Sequence, residues 1–246
     1  AILRNLILNK DYQIKSFKSF KLDYTDKENR VNKIKITNRK NDYFLEGDTF
    51  NSNSLIQNLI DNSEKKIDIF SKNIKLILKV KKVYLDNDYF VKNLNGNIFF
   101  RNNEINKADI EAFFTEDKKL SFTVRSNEDE KITTLFLDKA ESIVRRYKFI
   151  KGYSGGSLDF NSLKKGKTSY STLKIYDFRL KELPVLTKLL TLASLQGIAD
   201  LLPGDGISFN EFEMNFENSN DLMTINEIYA IGPAISILMN GYVEKN

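Results

Sequence analysis

Neither histidine nor cysteine occurs anywhere in the chain. Without imidazole there is no Ser-His-Asp triad, no His-ligated zinc and no ordinary acid–base group poised near neutral pH. Without a thiol there is no disulfide framework, thiolate nucleophile or iron–sulfur ligand, an absence that suits any compartment. Proline is reduced to three residues, and no Pro/Gly/Ser-rich linker divides the chain. A single continuous domain over residues 1–246 is therefore expected. No apolar run reaches the roughly 18 residues of a membrane span. The chain opens at Ala1 without a signal-like segment and stops after Gly241-Tyr-Val-Glu-Lys-Asn246, as a piece of a longer protein would.

What is present is an ordinary folding composition. Of 246 residues, 41% are hydrophobic and 29% charged, enough apolar material for a substantial core and too much for wholesale disorder. The net charge of +5 invites a nucleic-acid reading. Its distribution argues against one. Lys is interleaved with acids, as in Glu116-Asp117-Lys118-Lys119, whereas electrostatic binding of a phosphate backbone needs a clustered basic face. No nucleic-acid partner is expected.

The dominant pattern is period-two alternation, the signature of strands with one buried face. Ile34 and Ile36 alternate with Lys33 and Lys35; Leu76, Leu78 and Val80 follow suit around Ile77. Leu120, Phe122 and Val124 alternate with Ser121, Thr123 and Arg125, and Leu135, Leu137, Leu158 and Phe160 continue the series. Near the end Ile207 and Phe209 share one phase while Phe212, Met214 and Phe216 take the other, which predicts a bulge or bend near Asn210–Glu211. Turn signals fall at Asn87-Asp88, Asn95-Gly96, Asn127–Asp129, Gly155-Gly156 and Asn218–Asp221. This spacing predicts an antiparallel meander rather than βαβ units. Three short helices interrupt it: one carrying Leu55, Ile56, Leu59 and Ile60, one carrying Ile143, Val144 and Tyr147, and an apolar helix near 184–202.

Several motifs reduce to structure on inspection. Gly152-Tyr-Ser154-Gly-Gly156 matches the nucleophile elbow, but that chemistry needs a helix after the serine and a histidine to take its proton. Here a strand-like Ser157–Phe160 follows, so a glycine turn is expected. Gly204-Asp-Gly206 lacks the lysine of a P-loop and the spaced carboxylates of an EF-hand. Glu211 and Glu213 share a strand face and are expected to point to solvent, opposite Phe212 and Met214. The helix near 184–202 is different in kind. Leu186, Leu189, Leu190, Ala193 and Gly197 make one face, while Leu195 and other leucines spread apolar surface around the rest. A helix apolar on most sides needs apolar surroundings on most sides, and a single sheet face covers only one.

Residues Asp177–Leu180, Leu183–Leu190, Ala193–Ile198 and Gly204–Phe209, continued by Phe212–Met214, Leu222–Ile225 and Ala230–Ile235, resemble the C-terminal region of the AsmA-like proteins, closest to the YhdP-type branch. The resemblance is specific over residues 134–243 and is one of pattern over 1–133. It implies a mainly β fold, a long curved antiparallel sheet forming an open, U-shaped apolar groove with a few short helices. It further implies a bridge-like role, moving phospholipid between membranes without catalysis or cofactor. The implied place is the bacterial periplasm, anchored to the inner membrane by an N-terminal segment outside this chain. Phospholipid acyl chains would be the partners, with other envelope proteins possible. The alternative implied by relatives is a structural or assembly scaffold for outer-membrane protein biogenesis. On this reading Ile34, Ile36, Leu76, Leu78, Val80, Leu120, Phe122, Val124, Leu135, Leu137, Leu158, Phe160, Phe212, Met214 and Phe216 line the groove. Leu186, Leu189, Leu190, Ala193, Leu195 and Gly197 belong to a helix lying over it as a lid. No metal site is expected.

Overall fold

The computed structural model describes residues 1–40, 42–61, 73–102, 104–146, 151–182, 206–219, 221–233 and 235–244. The first strands are β1 (Ile2–Arg4), β2 (Ile7–Leu8), β3 (Ile14–Ser16), β4 (Ser19–Thr25), β5 (Val31–Arg39) and β6 (Asp42–Asn51). Helix α1 (Asn53–Asp61) leads to β7 (Ile74–Tyr84), β8 (Phe90–Arg101), β9 (Glu104–Phe113), β10 (Lys119–Ser126) and β11 (Glu130–Leu137). After α2 (Glu141–Val144) come β12 (Lys151–Lys165), β13 (Thr168–Glu182), β14 (Ile207–Ser219), β15 (Leu222–Ile231) and β16 (Ser236–Glu244). The protein is mainly β, with few and short helices. The expected helix near 184–202, with Leu186, Leu189, Leu190, Ala193, Leu195 and Gly197, lies outside the described residues.

Fourteen strands form one sheet in the order β1-β4-β5-β6-β7-β8-β9-β10-β11-β12-β13-β14-β15-β16, and β2 pairs with β3 separately. Chain neighbours are sheet neighbours almost throughout, as a meander requires, and the sheet is open rather than closed into a barrel. One departure from the meander occurs. β6 and β7 pair in parallel, Leu45 beside Leu78 and Gly47 beside Val80. A parallel neighbour cannot be reached through a tight hairpin, and α1, the helix expected around Leu55 and Ile56, lies in the crossover.

The chain divides into two compact units, Ala1–Thr134 and Leu135–Asn246. In the first, Phe17, Tyr43 and Ile74 form a buried cluster, with Phe17 and Tyr43 rings 4.9 Å apart and Ile14, Phe20, Ile36 and Leu76 packed around them. An Asp26-centred clasp secures the β4–β5 turn. Its carboxylate accepts the N–H groups of Glu28 and Arg30 and the side-chain amides of Asn32 and Asn51. In the second, an aromatic ladder crosses three strands: Tyr153 stacks on Phe178 at 5.5 Å, and Phe178 on Phe209 at 5.3 Å.

Two expected turns prove to be strand interior. Asn95-Gly96 lies within β8, where Gly96 faces Ile110 of β9 so closely that a β-carbon would come within 2.8 Å of the Ile110 Cα. That glycine serves close strand approach, not a turn. Gly152, Gly155 and Gly156 likewise lie inside β12, all at positive φ (65°, 78° and 81°). They kink a long strand while its register with β13 stays in step from Tyr153–Leu180 to Lys165–Thr168. The phase change expected near Asn210 belongs to this same place. Asp177 takes φ 51°, and on either side of it Tyr176 pairs with Glu211 and Phe178 with Phe209. Phe178 meets Phe209 face to face and Phe212 edge-on at 6.5 Å, so residues from both phases contact one ring.

Candidate functional site

Strand register decides which side chains share a face, because directly paired residues point the same way. In the first unit the register can be followed across six strands, between bulges at Lys33/Ile34 on one side and Lys92/Asn95 on the other. Ile36 pairs with Leu45, Leu45 with Leu78, Leu78 with Gly96, Gly96 with Ile110, and Ile110 with Phe122. A parallel row runs Ile34, Gly47, Val80 and Leu94, and Ala112 pairs with Leu120 on the same side. The third row runs Tyr43, Leu76, Ile98, Ala108 and Val124. Ile34, Ile36, Leu76, Leu78, Val80, Leu120, Phe122 and Val124 thus lie on one apolar face.

The rows are not equally covered. Val80, Ala108, Ala112 and Val124 in the outer rows are buried, as are Ile34 and Tyr43. Every side chain of the central row, from Ile36 through Leu45, Leu78 and Ile110 to Phe122, is only half-buried. Leu94 and Leu120 in one outer row and Leu76 and Ile98 in the other are half-buried too, so the face is a partly open apolar strip interrupted on both sides by buried positions. From β5 to β10, at about 4.8 Å per strand, the strip extends roughly 24 Å.

The reverse face of this unit is ionic. Arg39 pairs with Glu46 at 3.5 Å, Lys75 with Asp42 at 3.7 Å, Lys81 with Asp48 at 2.7 Å and Arg125 with Asp109 at 2.8 Å. The Lys81 ammonium, bonded to Asp48, holds that carboxyl below the ordinary aspartate value and is itself raised. These pairs are exposed, so their part is to keep this face in water more than to stabilise the fold.

The second unit repeats the division. Leu158 pairs with Ile175, Ile175 with Phe212, Phe212 with Ala230 and Ala230 with Ile237. Beside this lies Phe160, Leu173, Met214, Ile228 and Met239, and one step further Ser162, Ser171, Phe216 and Ile225. Leu158, Phe160, Phe212, Met214 and Phe216 accordingly share one face of this unit. In the first of these rows Leu158, Ile175 and Ala230 are buried while Phe212 and Ile237 are half-buried, and its neighbour stays half-buried from Phe160 to Ile228. On β11 the Thr134 hydroxyl hydrogen-bonds that of Thr123 at 2.7 Å, and alternation sends Leu135 and Leu137 to the other side of their strand. Leu137 is fully buried.

Glu211 and Glu213 depart from expectation. Rather than projecting freely into solvent, Glu213 accepts hydrogen bonds from Asn215 at 2.8 Å and Tyr229 at 2.9 Å and pairs with Lys174 at 2.7 Å; its side chain is 14% exposed. The Tyr229 hydroxyl also reaches Glu211 at 3.1 Å. The reason is register: Tyr229 lies opposite Glu213 on β15, and Lys174 opposite it on β13. The Lys174 ammonium, with Asn215 beside it, holds the Glu213 carboxyl below its ordinary value, and the Glu213 carboxylate pushes the Tyr229 phenol up.

Residues missed by sequence reading include Leu45, Leu94, Ile98, Ile110, Leu173 and Ile175. Most carried a usable signal. Ala108, Ile110 and Ala112 alternate with Lys107, Asp109 and Glu111, and Leu94, Gly96, Ile98 and Phe100 alternate across the misread Asn-Gly. Among the described residues no helix is long and apolar enough to cross a membrane. Compared with known proteins, the chain matches no family model, no curated protein and no solved structure.

Proposed function

We propose that this protein shelters phospholipid acyl chains on its half-open apolar strips and so passes lipid between membranes without catalysis. The observation that carries the reading is the central row Ile36–Leu45–Leu78–Gly96–Ile110–Phe122, apolar across six strands and half-buried throughout, between rows in which buried residues such as Val80 and Val124 alternate with half-buried ones. Leaving a roughly sixteen-carbon chain in water costs on the order of 13 kcal/mol, at about 0.8 kcal/mol per methylene. A continuous apolar strip offsets that with no polar or reactive group. The Met214–Ile228–Met239 stretch of the second unit adds side chains that adapt to a mobile chain.

The resemblance to AsmA-like proteins supports the same reading. Its specific part, residues 134–243, is nearly coextensive with the second unit, Leu135–Asn246. On this reading the protein works in the bacterial periplasm, tethered to the inner membrane through sequence outside this chain. The test is extraction of radiolabelled phospholipid from vesicles by the purified protein. Stoichiometric extraction supports the proposal. Failure to extract lipid with the fold intact by circular dichroism overturns it.

A further inference from the structure

The two edges of the fourteen-stranded sheet are unlike. One is β1, three residues long and ending in Arg4. The other is β16, nine residues long, and among the described residues no strand pairs with its outer side. Open edges are ordinarily guarded by charge, proline or a bulge, because their unpaired N–H and C=O groups template pairing with another chain. Ser236–Val243 has none of these. Every strand from β4 to β15 carries a charged residue before its last position, whereas β16 is uncharged until Glu244 closes it. The bulge between Ile225 and Ile228 takes its extra residue from β15, so β16 itself alternates regularly. Its side chains stand open on both faces. Leu238 is 72% and Tyr242 69% exposed on one, and Met239 and Val243 are exposed on the other.

The edge is complementary to a copy of itself. The Gly232 N–H donates to the Ile235 carbonyl at 2.9 Å, which sets the ladder: Ile237 and Met239 turn their backbone groups toward β15, while Leu238, Asn240 and Tyr242 turn theirs outward. Two antiparallel copies overlapped along their full length meet at Asn240, the midpoint of Ser236–Glu244. In that register Ile237 faces Val243 of the second copy and Leu238 faces Tyr242. Met239 faces Gly241, above which the space is open. Apolar residues meet apolar ones, an aromatic–aliphatic pair among them, and Asn240 meets its own amide. Glu244 faces Ser236, so no like charges are opposed. β1 offers no such match, since three residues would leave most of β16 uncovered.

We propose that β16 is a dimerisation edge, pairing antiparallel with the β16 of a second copy of this chain about a two-fold axis at Asn240. Directly paired residues share a face, so the axis stands perpendicular to the strands' sheet and the apolar faces of the two second units come to lie on the same side. The pairing is independent of the lipid reading and needs only the open edge.

Sedimentation equilibrium of the full chain over a concentration series is expected to show monomer and dimer with no larger species. Asn240→Lys and Asn240→Asp each set like charges face to face on the axis and should weaken the dimer about tenfold or more. Circular dichroism should stay native in both, because this position is exposed in the single chain. Mixing the two variants sets Lys against Asp and should restore a one-to-one dimer. The chain has no cysteine, so Asn240→Cys tests the register cleanly. Opposed residues of a hydrogen-bonded pair have Cα atoms about 5.5 Å apart, within disulfide reach, and mild oxidation should cross-link two copies. Ser236→Cys, whose counterpart lies roughly 27 Å away at about 3.4 Å per residue, should stay uncross-linked. A chain that is monomeric at every concentration overturns the proposal and leaves β16 to a strand of a different polypeptide. Mass rising beyond the dimer would mean head-to-tail association through β1 and overturns it equally. So does a dimer that both charged variants form as readily as the native chain.

Discussion

Phe122 and Val124 lie two positions apart on one strand and one face, yet their surroundings differ. Phe122 is half-buried in the open row, whereas Val124 is 2% exposed. Phe122→Asp should cost about 1–2 kcal/mol of stability, keep the fold and abolish lipid extraction. Val124→Asp buries an unpaired charge and should cost upwards of about 4 kcal/mol. Urea titration of both variants checks the contrast; equal losses would mean that the open row is ordinary core. Glu213 offers a second test at this scale. Lys174 and Asn215 lower its folded pKa beneath the ordinary 4.5, so its stabilising contribution is present above that value and disappears as pH falls through the lower folded one. Glu213→Gln should therefore be less stable than the native protein at neutral pH, with the gap closing in acid. A gap of constant size across that range would show that packing, not ionisation, is what Glu213 supplies.

At the scale of elements, the long β12 depends on its glycines. The backbone at Gly156 is left-handed, and a β-carbon there would sit 2.8 Å from the Tyr176 carbonyl and 3.0 Å from the Tyr153 hydroxyl. Gly156→Val should cost about 2 kcal/mol or more and disturb the Tyr153–Phe178–Phe209 stack, measured by thermal unfolding and near-ultraviolet dichroism. Strands were legible in the sequence wherever alternation was clean, as in Val31–Arg39 and Lys119–Ser126. They were hidden where a locally strong signal misled. Asn95-Gly96 reads as a turn until Ile110 is known to press against it, and the Gly-Gly of β12 reads as a loop although its partner strand continues past it. The parallel β6–β7 pair was not legible for a similar reason. A short amphipathic helix between strands looks the same whether it interrupts a meander or forms a crossover.

Across the whole chain, the same economy recurs in both units. Each gathers a run of aliphatic and phenyl side chains, in part half-buried, on one face and sets its ion pairs or polar network on the other, although Phe44, Ile77 and Phe99 lie on the ionic side of the first. The candidate residues were legible to the extent that alternation predicts faces: eight share a face in the first unit and five in the second. Which row stays open was not legible, because it depends on what Phe17 and the neighbouring strands cover. A lipid-sheltering role makes a demand that ordinary core packing does not: acyl chains must touch the open rows and nothing on the ionic side. Photocrosslinking tests this most directly, with a photoreactive residue placed at Leu78, Phe122, Phe160 or Met214 on the open rows and at Lys79, Ser121, Asp159 or Glu217 on the reverse, in the presence of phospholipid vesicles. The account predicts lipid adducts from the first four positions and none from the second four. Equal labelling of both sets, or no adduct from the open rows in a folded protein, would contradict it.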